Sequence, residues 1–185
     1  MNASHSRGAA WELLTEFTQS ESLRKHALAV EACCRSYAPA GEEELWGCTG
    51  LLHDFDYERW PTLPDHPLEG NKILTALGYP EPMLHAILAH CEHTGVKRES
   101  ALDKTLFACD ELAGFLTACA LVKPGKSLAE VEPSSVKRKM KDKAFARSVS
   151  RADIEQGALE LGLPLEEHMA RCLTAMRAIA PALGL

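Results

Sequence analysis

Apolar residues recur at helical spacing along most of this chain, and nowhere does a sustained run of β-branched residues alternate with polar ones. Trp11, Leu14 and Phe17 share one such stripe, and Leu23, Ala27, Val30 and Cys34 share the next. That pattern leaves helices as the regular elements able to bury the apolar surface. Breakers divide them: Pro39-Ala40-Gly41, Gly78 with Pro80, Gly95, and Lys123-Pro124-Gly125.

The expected helices follow from those boundaries. One covers residues 9–18. A second, capped by Ser20 or Ser22, runs to about Tyr37. A third opens on Glu42, Glu43 and Glu44, whose charges suit a helix N-terminus, and runs to His53. Pro61, Pro64 and Pro67 make residues 55–67 a structured loop. Helices are expected again over Leu68–Leu77, Pro82 to about His93, Leu102–Val122, Asp153–Leu161 and Pro164–Ala180. The chain reads as all-α, a single-domain helical bundle over 1–185. Its core helices span about 20–122 and a C-terminal helical extension spans 126–185.

The formal charge of −6 argues against a broad nucleic-acid or anionic-membrane surface. No apolar run is long enough for a membrane span. Met1 to Gly8 is small and polar and lacks the apolar core of a signal peptide, so a cytoplasmic protein is expected. Seven cysteines with no C-x-x-C spacing make a poor disulfide or zinc-finger framework, and all seven read as small hydrophobes. A homo-oligomer is compatible with this composition.

The polar residues inside apolar segments stand out against this background. Leu51-Leu52-His53-Asp54-Phe55-Asp56 carries a histidine and an aspartate to a helix end. His26 lies three residues after Leu23 and four before Val30, on the buried stripe. His90 lies three after Ile87, and Asp110 lies four after Leu106 in the most apolar helix. His66 sits in the Pro-rich loop, where its ring can point inward. A lone core histidine usually bonds a backbone carbonyl and does nothing more, and a lone Asp110 could cap a helix or pair with an arginine. Four histidines and two aspartates gathered on inward faces are a different matter. Histidine with carboxylate is the ligand set of Mn, Fe, Co, Ni and Zn.

The order His26, Gly50-Leu51-Leu52-His53-Asp54, His66-Pro67-Leu68-Glu69-Gly70, Ala86-Ile87-Leu88-Ala89-His90 and Cys109-Asp110-Glu111 resembles the HD-domain superfamily of metal-dependent phosphohydrolases. The resemblance runs from about residue 20 to 120. It implies that His26, His53, Asp54 and Asp110 hold a first divalent metal. His66 and His90 would hold a second, with Asp54 bridging the two. It further implies a phosphomonoesterase or phosphodiesterase acting on a small phosphorylated metabolite or nucleotide, with Asp54 central to catalysis. The same ligand set also serves a mixed-valent di-iron oxygenase of the HD type, or a non-catalytic metal-binding module. Cys91 stands where many two-metal members have a second histidine, and Phe55-Asp56 replaces the commoner Ile-Gly.

The other polar residues divide as follows. His5 is expected to be disordered, and His85 and His168 to be surface or packing residues. His93 is expected to end its helix. Among the basic residues between Lys137 and Arg147, a substrate-phosphate role falls to Lys137, Lys141 and Arg147, against the plainer reading of a solvated helix face. Tyr57 and Arg59 lie close to the motif in sequence and could orient a substrate or serve a loop salt bridge.

Overall fold

The computed structural model of the chain describes residues 5–185; the first half of the polar N-terminal stretch, residues 1–4, lies outside them. Ten α-helices follow one another, with no strand among the described residues. They are α1 (Arg7–Phe17), α2 (Glu21–Tyr37), α3 (Glu43–Leu52), α4 (Asp65–Ala76), α5 (Glu81–Ala89), α6 (Ala101–Leu121), α7 (Pro133–Met140), α8 (Arg151–Glu160), α9 (Leu165–Ala178) and α10 (Ala180–Leu183). They build a single-domain helical bundle, and no helix among the described residues is long and apolar enough to cross a membrane.

Local chemistry explains where the helices begin. The side chains of Ser6, Ser20, Ser100 and Ser150 each accept an amide N–H at the start of α1, α2, α6 and α8. Ser100 and Asp103 form a reciprocal capping box, which satisfies two of the unpaired donors of α6. The stretch expected as one helix up to His93 divides. Helix α5 ends at Ala89, and a short 3₁₀ turn, Glu92–Thr94, ends on Gly95 in the left-handed region (φ 71°).

Helices α2 and α6 are the frame. Helix α2 packs on α3, α6 and α9, and α6 packs also on α5 and α8. Two glycines set the closest approaches. A Cβ on Gly50 would lie 2.8 Å from the Val30 carbonyl oxygen, so α3 crosses α2 with backbone against backbone. A Cβ on Gly157 would lie 2.6 Å from Cα of Ala108, which seats α8 on α6. Leu51, Leu52, Phe55, Met83, Ile87, Leu106, Leu112, Phe115, Leu116, Met169 and Met176 fill the space between, all fully buried. Each such side chain stabilises the fold by roughly 1.5–3 kcal/mol relative to exposure.

Buried charge is paired. Glu31 of α2 accepts from Arg7 of α1 at 2.8 and 3.0 Å and from Arg35 at 3.0 Å, which ties α1 to the frame. His5 departs from the expected disorder. Its Nε2 bonds the Leu77 carbonyl at 3.0 Å and its ring lies 4.7 Å from that of Tyr79, so the end of α4 holds it. His168 is a packing residue, buried between Tyr37 and the Ala108 carbonyl. His85 is partly exposed beside Asp103 at 3.1 Å.

Candidate metal centre

Two histidines reach the centre by the same device. His53 is the residue that caps the C-terminus of α3 and His90 the one that caps α5, where helix carbonyls lack intrahelical partners. Each ring donates from Nδ1 to the carbonyl three residues back. His53 bonds Gly50 at 2.8 Å, and His90 bonds Ile87 at 2.5 Å. The carbonyl bond expected of a lone core histidine is therefore present in both. It also fixes the tautomer, leaving the Nε2 lone pair aimed away from the helix.

Those lone pairs meet carboxylates. His53 Nε2 lies 3.4 Å from Asp110 Oδ1 and 3.5 Å from Asp54 Oδ2. His26 Nε2, from α2, lies 2.9 Å from the same Asp110 oxygen. One donor atom each from His26, His53, Asp54 and Asp110 falls within 4.8 Å of all the others. On the other side of Asp54, its Oδ1 lies 3.1 Å from His66 Nε2 and 3.3 Å from His90 Nε2. His66, His90 and Cys91 form a second group of donors within the same 4.8 Å. The six residues singled out in the sequence thus meet, with the two oxygens of Asp54 facing different groups.

Apart from the His26–Asp110 bond at 2.9 Å, the donors converge without bonding one another well. His53 Nε2 and Asp54 Oδ1 are buried and have no hydrogen-bond partner. Two such orphaned atoms within one cluster are costly unless something satisfies them. A divalent cation does so, and nitrogen with carboxylate oxygen suits borderline transition metals. The residues present therefore fit a metal.

The electrostatics point the same way. Burial opposes ionisation of Asp54, yet His53, His66 and His90 hold it well below the usual carboxylate range. Asp110 is likewise held down, against burial, by His53 and His26. Burial lowers the basicity of His66, but Asp54 and Asp56 outweigh it and push its pKa up to about 12. His90 is raised well above its ordinary value, against burial, by Asp54 and Cys91. Ionised carboxylates thus draw positive charge into the centre. Protons supply it on the rings, and a metal would replace them.

Two residues of the site were not singled out as functional in the sequence. Asp56 is fully buried and accepts from His66 Nδ1 at 2.7 Å and from the Gly70 amide at 2.9 Å. It holds the ring that faces Asp54. The departure from Ile-Gly at the motif end was its only trace. Cys91 is the second. Six cysteines are buried, as their apolar surroundings suggest, but Cys91 is half-buried and lines the cleft. Burial pushes its thiol up, and His66 and His90 override this to bring it down to about 7.

The cleft over the centre has a volume of about 420 Å³, the scale of a small-molecule site. Tyr57, His93, Glu111 and Asp153 line it with Asp54, His66, His90 and Asp110. His93 does not end the helix, which stops at Ala89; it sits in the 3₁₀ turn after α5 and lines the cleft. Burial and the adjacent Asp110 push Glu111 up to about 7. Arg59 turns the other way. It lies 3.6 Å over the Phe17 ring and donates to the Glu16 carbonyl at 2.9 Å. Lys137, Lys141 and Arg147 do not line this cleft; Lys137 is exposed and pairs with Glu166 of α9 at 2.9 Å. His26 enters the centre from behind and borders a separate cavity of about 470 Å³ beside Lys25 and Gly114.

Neither the curated proteins nor the solved structures returned a match. The profile of the HD domain matches residues 23–155, a span that holds all six donors singled out in the sequence, and the chain belongs to that family.

Proposed function

We propose that this chain is a metal-dependent phosphohydrolase, a phosphomonoesterase or phosphodiesterase that acts on a small phosphorylated metabolite or nucleotide through a mono- or dinuclear centre. Membership of the HD domain family, whose members are mostly metal-dependent hydrolases, supports the class. The observation that carries the reading is the pair of orphaned buried atoms, His53 Nε2 and Asp54 Oδ1, inside two donor groups.

When bound, the metals would supply Lewis acidity toward phosphate oxygens and an attacking water. His26, His53, Asp54 and Asp110 would hold the first, and His66 and His90 the second. Asp54 would serve both, because a carboxylate has two oxygens and a neutral imidazole one lone pair. Asp56 keeps His66 in the tautomer that presents Nε2. Glu111, whose pKa burial and Asp110 push up, lines the cleft and can hold a proton for the leaving oxygen. Lys137, Lys141 and Arg147 are not needed for this reading.

The test is reconstitution. Chelator-stripped protein, reloaded separately with Mn, Fe, Co, Ni or Zn, should hydrolyse a chromogenic phosphomonoester or phosphodiester with at least one of them. Activity should vanish in His53→Ala and Asp54→Asn. Full metal loading with no hydrolysis of either ester would sink the phosphohydrolase reading.

A further inference from the structure

The cysteine beside His90 is placed unlike the other six. Cys91 follows His90, the residue that caps α5, and its carbonyl accepts from the Thr94 amide at 3.2 Å and the Thr94 hydroxyl at 2.8 Å. The turn thus fixes the backbone of Cys91, and its Sγ lies 3.3 Å from His90 Nε2.

We propose that Cys91 is a thiolate ligand of the second metal position, completing a His66–His90–Cys91–Asp54 donor set that selects a thiophilic cation such as zinc over manganese or magnesium. The proposal rests on the metal-centre reading above and gives one position of it a metal class.

The donor spacings carry the argument. Metal–nitrogen and metal–oxygen bonds near 2.0–2.2 Å and a metal–sulfur bond near 2.3 Å give a tetrahedron edges of roughly 3.3–3.6 Å. Sγ of Cys91 to Nε2 of His90 is 3.3 Å, and Nε2 of His90 to Oδ1 of Asp54 is 3.3 Å. Nε2 of His66 to Oδ1 of Asp54, at 3.1 Å, is about 0.2 Å short of such an edge. The two rings are already committed at Nδ1, to Asp56 and to the Ile87 carbonyl, so each offers Nε2 alone. Two imidazoles, one thiolate and one carboxylate oxygen make a four-donor set.

Softness then separates the two positions. The first group, His26, His53, Asp54 and Asp110, has nitrogen and oxygen donors only. The second adds sulfur, which favours zinc, cobalt and iron and disfavours magnesium and manganese. As the sulfur–metal bond forms, the thiol gives up its proton to solvent, and no redox change occurs.

Cobalt is the probe, because thiolate–cobalt bonding produces an intense near-ultraviolet charge-transfer band that nitrogen and oxygen ligands do not. Stripped full-length protein is titrated with Co(II), then with Zn(II) in competition. The wild type should develop the band, and zinc should abolish it. Cys91→Ser should lose the band while still binding cobalt at the first group. Its zinc affinity at the second position should fall by more than the roughly 10–100-fold cost of losing a second-sphere partner, with manganese binding little changed. Cys91→His should bind two metals without the band. Two equivalents of cobalt in the wild type with no band, or a band that survives in Cys91→Ser, overturns the thiolate ligand and leaves the metal centre standing. No cobalt bound at all overturns both.

Discussion

Asp56 Oδ1 lies 2.7 Å from Nδ1 of His66, and the other oxygen of Asp56 takes the Gly70 amide at 2.9 Å. The carboxylate thereby links the turn after α3 to the start of α4 and sets the His66 ring against Asp54. Gly70 permits this, since a Cβ there would meet the Asp56 carboxyl carbon at 2.6 Å. Asp56→Asn should weaken metal binding at the second position by about 10–100-fold, with little change at the first. Calorimetric titration of the stripped protein reads both steps, and an unchanged second step would count against the role of Asp56.

The glycine contacts predict opposite effects for one substitution. Gly50→Ala drives a Cβ to 2.8 Å from the Val30 carbonyl oxygen and forces α2 and α3 apart. It should cost about 1–3 kcal/mol. At Gly114, inside α6, an added Cβ meets nothing within 4 Å. Gly114→Ala should be neutral or stabilise by up to about 1 kcal/mol through helix propensity. Urea unfolding of the two variants against the wild type measures both.

His168 links folding to pH. Its Nε2–H donates to the Ala108 carbonyl at 2.9 Å, and its Nδ1 accepts from the Tyr37 hydroxyl at 2.7 Å, which is the pattern of a neutral ring. Burial lowers its pKa below the ordinary 6.5. The unfolded chain therefore takes up this proton first, so the contribution is present above about pH 6.5 and is lost as pH falls from there through the folded value. Across pH 7.5 to 5, thermal melts should show the wild type losing this contribution relative to a variant without the ring. His168→Gln, which cannot titrate there, is that variant, and a melting-temperature difference that does not change with pH would count against the role of His168.

The cleft is acidic without its metals. Asp54, Glu92, Asp110, Glu111 and Asp153 line it, with no lysine or arginine among the lining residues. These five carboxylates outnumber the protonated rings of His66 and His90, so an anion should meet a net negative cleft until cations are bound. Inorganic phosphate, followed by phosphorus NMR or by competition against a chromogenic ester, should bind the reconstituted protein and not the stripped one. Equal binding to both would place phosphate recognition elsewhere.

Helical periodicity was enough to bring His26, His90 and Asp110 inward, because each lies three or four places from apolar residues of its stripe; His53 stood out as a polar residue ending an apolar run. Asp54 followed from its neighbour, and His66 from a proline-rich loop with few conformations open to it. Asp56 was harder to recognise. Its partner amide belongs to Gly70, fourteen residues on, and no local pattern reports such a contact. Cys91 looked like the other cysteines because it follows an apolar helix; the helix stops at Ala89, and the turn carries the thiol off the core face. His5 is another long-range case, held by Leu77 and Tyr79. The charge of Lys137 is taken up by Glu166, whose position on α9 the sequence around the basic cluster does not reveal.

The central claim is that Asp54 and the histidines around it hold metal, and elemental analysis of the purified full-length chain after reconstitution tests it most directly. The wild type should carry one to two equivalents of a transition metal per chain. It should melt at higher temperature than the stripped form, since a ligand bound only to the folded state stabilises it. Asp54→Ala, shown to be folded by its helical circular dichroism, should lose metal from both positions. A wild type that holds no metal after reconstitution, or an Asp54→Ala variant that holds as much as the wild type, would contradict the account.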